Sequence, residues 1–161
     1  MNSTNVTPPA SSSPRRALWG WSPADLPANT SWKRRVDRYL PRTGVGVALY
    51  FLTIAVAMNA SAMLPRRAEL VVIGLSAAAA GAWCALNYWR CRHAHCLAGG
   101  VAWPALGAFC FVEAGLGRTL IAGDEGLVFV GILVAAIALE AAWSCARGSN
   151  AIGSRGIGGV C

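Results

Sequence analysis

Charge is the scarcest property of this chain. Asp, Glu, Lys and Arg make up 13% of its 161 residues, about half the share of an ordinary soluble domain. Most of them fall outside four long apolar runs, which leaves little to solvate a globular surface, and a mean hydropathy of +0.47 points the same way. A soluble fold is therefore not expected. Catalytic signatures are missing as well. The chain has no Walker loop, nucleophile elbow, HExxH pair or paired-carboxylate site, so it is not expected to be an enzyme. Acidic residues are few, 7 against 14 basic ones, giving a formal charge of +7. No nucleic-acid-binding motif accompanies that excess. The basic residues gather at the ends of apolar segments, where the lipid bilayer and its anionic headgroups are the natural partners.

What the chain does have is hydrocarbon-like length. Apolar runs cover residues 43–64, 70–89, 97–117 and 126–146, and each has roughly the 20 residues a helix needs to cross a bilayer. Every peptide group in lipid must be hydrogen-bonded within its own segment, so the expected fold is all-α, an integral-membrane four-helix bundle. The connections 65–69, 90–96 and 118–125 are short, which forces neighbouring spans to run antiparallel in up-down order. In the second run Ala77 and Gly81, with Ala78 and Ala82, repeat at four-residue spacing. Small residues so spaced let helix backbones approach closely, so this span is expected at the centre. Asn59, Ser61 and Ser76 are expected to hydrogen-bond between helices, and Pro104 to kink the third span.

Outside the spans, residues 1–42 are first rich in Ser, Pro, Asn and Thr and then basic, a composition that predicts a disordered tail. Trp19, Trp21 and Trp32 suit the headgroup level. Residues 147–161 are glycine-rich and are predicted to be flexible. Up-down order with the tail inside leaves only Arg66, Arg67 and Arg118 of the 14 basic residues outside. Lys and Arg are retained on the cytoplasmic side, so both termini and the 90–96 connection are assigned there, in the plasma membrane of the cell. Of the six cysteines, five lie in apolar runs or beside a cytoplasmic loop, which argues against a disulfide framework and for free thiols, and Cys161 is assigned no role.

The densest chemical feature is the segment 87–96, NYWRCRHAHC, with Cys84 just before it. Cys84, Cys91, His93, His95 and Cys96 offer thiolate and imidazole donors, which suit soft or borderline ions such as Zn(II), Cu(I) or Hg(II). If the second helix continues past the membrane, Cys84, Cys91 and His95 share one stripe; if the connection is extended, Cys91, His93 and His95 share one side. A plainer reading makes this a basic interfacial loop that fixes orientation, with the cysteines as small apolar residues. Further donors form a candidate intramembrane path. Glu140 and Cys145 lie at about the depth of Cys84, and Cys110 and Glu113 continue towards the other face. A carboxylate in hydrocarbon costs on the order of 2.5–3.5 kcal/mol and is normally turned inward or paired. The structural alternatives are a Glu113–Arg118 contact and a bond from Glu140 to Asn87 or a serine.

Asn87, Arg90, Cys91, His95 and Cys96 together spell N-x-x-R-C-x-x-x-H-C. In this segment the chain resembles small polytopic bacterial membrane proteins of uncharacterised activity, often with a Gly-Pro step next; here Gly99 and Gly100 follow, and Pro104 comes later. The resemblance implies a multi-pass topology and no particular reaction. A looser similarity is to small mercury transport proteins, which carry cysteines in the first helix, where this chain has none. The expected function is binding or transport of a soft metal ion at a Cys/His cluster. The alternative is a non-catalytic accessory subunit, packed on a larger membrane protein or on copies of itself.

Overall fold

The computed structural model describes residues 44–147, together with Arg35, residues 38–40 and Ile152. The expectations for the two tails lie almost wholly outside the described residues. Four helices form: α1 Gly44–Ser61, α2 Arg66–Cys91, α3 Ala94–Leu116 and α4 Glu125–Arg147. All four are long and apolar enough to cross a membrane, and no strand occurs among the described residues. The chain is a multi-pass helical membrane protein.

The ends of the spans depart from the sequence reading where polar side chains find partners inside a helix. α2 starts at Arg66 rather than 70, because Arg66 and Glu69 form an i,i+3 ion pair of 2.8 Å across its first turn. It also runs on to Cys91, and α3 begins at Ala94. The expected 90–96 loop therefore contracts to Arg92 and His93. Arg92 turns the chain in the left-handed region at φ 53° and donates its backbone N–H to the Tyr88 carbonyl. His93 is extended and caps α3 at its N-terminus. Neither of the two geometries expected for the cluster is realised whole. Cys84 and Cys91 do share α2, while His95 and Cys96 open the next helix.

α2 and α3 form the central hairpin, held at a separation that only small residues permit. A Cβ on Gly81 would stand 2.3 Å from Cδ of Pro104, and one on Gly107 2.9 Å from the Gly74 carbonyl oxygen. The contact stripe on α2 is thus Gly74, Ala78, Gly81 and Ala85, a spacing of four, three and four residues that keeps one seam in register along about three turns. Ala82, expected in that seam, is exposed instead. Pro104 stays inside a continuous α3 with its ring packed on Gly81.

The outer helices dock on this hairpin through aromatic rings. From α1, Phe51 meets Trp83 edge-on at 5.2 Å, and the Tyr50 hydroxyl donates to the Ala79 carbonyl at 2.9 Å. From α4, Phe129 stacks on Trp103 at 5.2 Å and accepts its indole N–H through the backbone at 3.3 Å. Half of the α2 span is buried but only 11% of α1 and of α4, which confirms α2 as the central helix. The remaining faces of α1 and α4 carry exposed Leu, Val and Ile, as a lipid-facing surface requires. Two interhelical bonds expected in α1 are replaced by local ones. Asn59 donates to the Ala55 carbonyl at 2.7 Å and Ser61 to the Met58 carbonyl at 2.7 Å. Each is satisfied within its own helix, which suits Asn59 at an exposed position in lipid.

Candidate metal centre

The end of the bundle where α2 turns into α3 gathers sulfur, imidazole and carboxylate. Helical periodicity places Cys84, Asn87 and Cys91 on one face of α2, and all three are buried. The tight turn at Arg92 brings Cys96, in the first turn of α3, against that face. Cys91 and Cys96 lie 3.7 Å apart, sulfur to sulfur. Nδ2 of Asn87 donates to Cys91 Sγ at 3.4 Å and to Cys96 Sγ at 3.3 Å. Cys84 lies against Gly99, one turn further along α3 from Cys96, where the missing side chain leaves room for its Sγ. Three thiols and a carboxamide thus form one buried group.

Beside it lies a second group of harder donors. Nδ1 of His93 is 3.6 Å from Oε1 of Glu140, and Nδ1 of His95 contacts Oε2 of the same carboxylate. The two rings meet edge-on with centroids 5.5 Å apart. Ligand atoms of His93, His95 and Glu140 all lie within 4.8 Å of one another. A tetrahedral ion with bonds of about 2.1 Å sets its donors roughly 3.4 Å apart, so a small rotation of the rings closes this triad on a cation. Glu140 sits on α4, about four helical turns after Glu125 and about two before Arg147, and an apolar helix carries it at a depth where a lone carboxylate is costly.

His95 joins the two groups. Its Nε2 is 3.1 Å from Cys96 Sγ, while its Nδ1 faces Glu140. A ring held by a carboxylate on one nitrogen presents the other in a fixed direction, the arrangement that orients many metal-bound histidines. The site therefore offers two donor sets that share one imidazole.

All five sequence-expected ligands, Cys84, Cys91, His93, His95 and Cys96, come together here, and Glu140 of the expected path joins them. Glu140 contacts both histidines. The rest of the path does not reach the centre. Cys110 and Glu113 lie 14 and 17 residues beyond Cys96 on α3, roughly 21 and 26 Å along the helix. Trp83, Trp103 and Leu106 fill the core between them. Glu113 accepts the backbone N–H groups of Leu120 and Ile121 rather than pairing with Arg118. Cys145 is disulfide-bonded and exposed on α4, so it supplies no thiol here, contrary to the expectation of a free thiol. Cys84, Cys91, Cys96 and Cys110 are buried and form no disulfide.

Sequence reasoning missed Glu125 and Arg66, which pair at the opposite end of the bundle. Their only signal was position, each at the first residue of a span and on the same side of the membrane. No protein-family model, curated protein or solved structure matches the chain.

Proposed function

We propose that this protein binds a soft or borderline metal ion at the His93, His95 and Glu140 triad, with Cys84, Cys91 and Cys96 as an adjoining thiol set. The observation that carries the reading is the convergence of His93, His95 and Glu140 from two helices, with ligand atoms all within 4.8 Å. Two imidazoles and a carboxylate are a three-ligand zinc set that leaves a fourth position open. Among Zn(II), Cu(I) and Hg(II) this triad favours Zn(II), and the sulfurs favour the softer ions. Exchange from one set to the other through His95 would move an ion along the membrane face without releasing it to water, which is the basis for a role in transport.

The distribution of Lys and Arg favours a plasma-membrane orientation with both termini cytoplasmic. The Cys145 disulfide, a bond of oxidising compartments, argues the other way, but three basic residues of 14 on the outer side is the larger signal.

The test is elemental analysis of full-length protein purified in detergent and dialysed against Zn(II). About one ion per chain is expected, with Cys91 and Cys96 protected from alkylation when it is bound. Metal-free protein after dialysis, with equal labelling in both conditions, overturns the reading.

A further inference from the structure

α2 ends on a sulfur, and α3 carries another in its first turn. Cys91 is the last residue of α2, and Cys96 follows just after the start of α3. Arg92, in the left-handed region, and the extended His93 fold the chain back between them. The two sulfurs come to 3.7 Å, which is direct contact. Nδ2 of Asn87, one turn before Cys91 on the same face of α2, donates to both, at 3.4 and 3.3 Å. One carboxamide therefore holds the pair side by side.

A disulfide bond is about 2.05 Å long, so closing one from this position moves each sulfur by roughly 0.8 Å. That is the scale of a side-chain torsion. The two thiols differ in access: Cys96 is 0% exposed, and Cys91, at the helix end, is 9% exposed. A sulfur so covered admits a small reactant rather than a folded protein.

We propose that Cys91 and Cys96 form a redox-active dithiol, oxidised to an intramolecular disulfide by a low-molecular-weight disulfide. The Cys91 thiol gives up its proton and its sulfur attacks one sulfur of the incoming disulfide; the other sulfur leaves and takes up the proton as a thiol. Cys91 is now joined to the retained half of the small molecule. Cys96, in contact with Cys91 Sγ, attacks it in turn, and the second half leaves as a thiol carrying the Cys96 proton. Two protein thiols are oxidised and one small disulfide is reduced to two thiols, so atoms and electrons balance. On the reducing cytoplasmic side, where the basic residues favour placing this end, disulfides are transient and serve redox sensing. Closure withdraws two of the three sulfurs from the thiol set. That consequence rests on the metal reading; the dithiol itself does not.

The experiment treats full-length protein in detergent, with EDTA present, with excess oxidised glutathione. Remaining thiols are then alkylated in denaturant and the chain is digested with trypsin. Cleavage after Arg90 and Arg92 separates Cys91 from Cys96, so a bridge is read by mass spectrometry as residues 91–92 held to residues 93–118. The linked species, two hydrogen atoms lighter than its separate peptides and with Cys110 still alkylated, is expected, and reduced glutathione should return both residues to the alkylated form. Full alkylation of Cys91 and Cys96 after treatment overturns the proposal. So does a bridge from Cys96 to Cys84, or a glutathione adduct on Cys91 that persists in wild type with Cys96 alkylated. In Cys96→Ser that adduct should instead accumulate, and its absence from a folded variant overturns Cys91 as the attacking thiol. No metal takes part, so failure of zinc binding leaves this result standing, and failure of the bridge leaves zinc binding to be read separately.

Discussion

Replacing Glu140 with Gln removes one charge from the candidate metal centre and almost no volume. In the metal-free protein two effects of similar size oppose each other. The substitution relieves the cost of a carboxylate in an apolar span, on the order of 2.5–3.5 kcal/mol. It also weakens the hydrogen bond that His95 directs at that carboxylate, and hydrogen bonds to charged groups contribute about 1.5–3 kcal/mol. The unfolding midpoint should therefore move little. Metal affinity should not be spared. Loss of a mere supporting group around a metal costs about 10–100-fold, so loss of one ligand in three should cost at least about 100-fold, or roughly 2.8 kcal/mol. Equilibrium dialysis against Zn(II) with Glu140→Gln, and with Glu69→Gln at the other end as control, measures the difference. Affinity of Glu140→Gln within about twofold of wild type, in a protein that still folds, would refute the assignment of Glu140 as a ligand.

Two further substitutions test the scaffold. Gly81→Val puts a branched side chain where even a Cβ lies 2.3 Å from the Pro104 ring, so it should destabilise by more than the about 1–3 kcal/mol of ordinary overpacking. Ala82→Val, on the exposed side of the same helix, should be tolerated; thermal unfolding in detergent compares them, and equal melting would contradict the close α2–α3 approach. Arg66→Ala leaves Glu125 buried without its cation, and breaking a buried pair costs about 3–5 kcal/mol. The low end applies because Arg66 itself is 34% exposed. Recovery of stability in the double variant Arg66→Ala, Glu125→Gln is expected, and its absence would remove the pair from the account.

The sequence made Glu140 conspicuous, since a carboxylate in an apolar run has to be explained, and its depth near Cys84 followed from helical rise alone. Its partners were not legible. Asn87 and the serines were as plausible by depth as His93 and His95, because depth says nothing of which way a helix is rotated about its axis. The same gap explains Ala82. Spacing of four residues marks two adjacent stripes on α2, and only the position of α3 selects Gly74, Ala78, Gly81 and Ala85. The contraction of the 90–96 connection was hidden for a different reason. Polar and basic residues there look like a loop, yet a single left-handed residue at Arg92 is enough to reverse the chain.

Four stretches of hydrocarbon-like sequence, each about the thickness of a bilayer, determined by themselves that the chain forms four helices in up-down order. Hydropathy is a property of each residue and needs no neighbour to be read. Which donors meet was decided by the tertiary structure, through the close fit of α2 on α3 and the rotation of α4 that turns Glu140 towards two histidines. Those choices depend on contacts between residues from 15 apart along the chain, as Ala85 and Gly100, to 47 apart, as His93 and Glu140, and no local pattern encodes them.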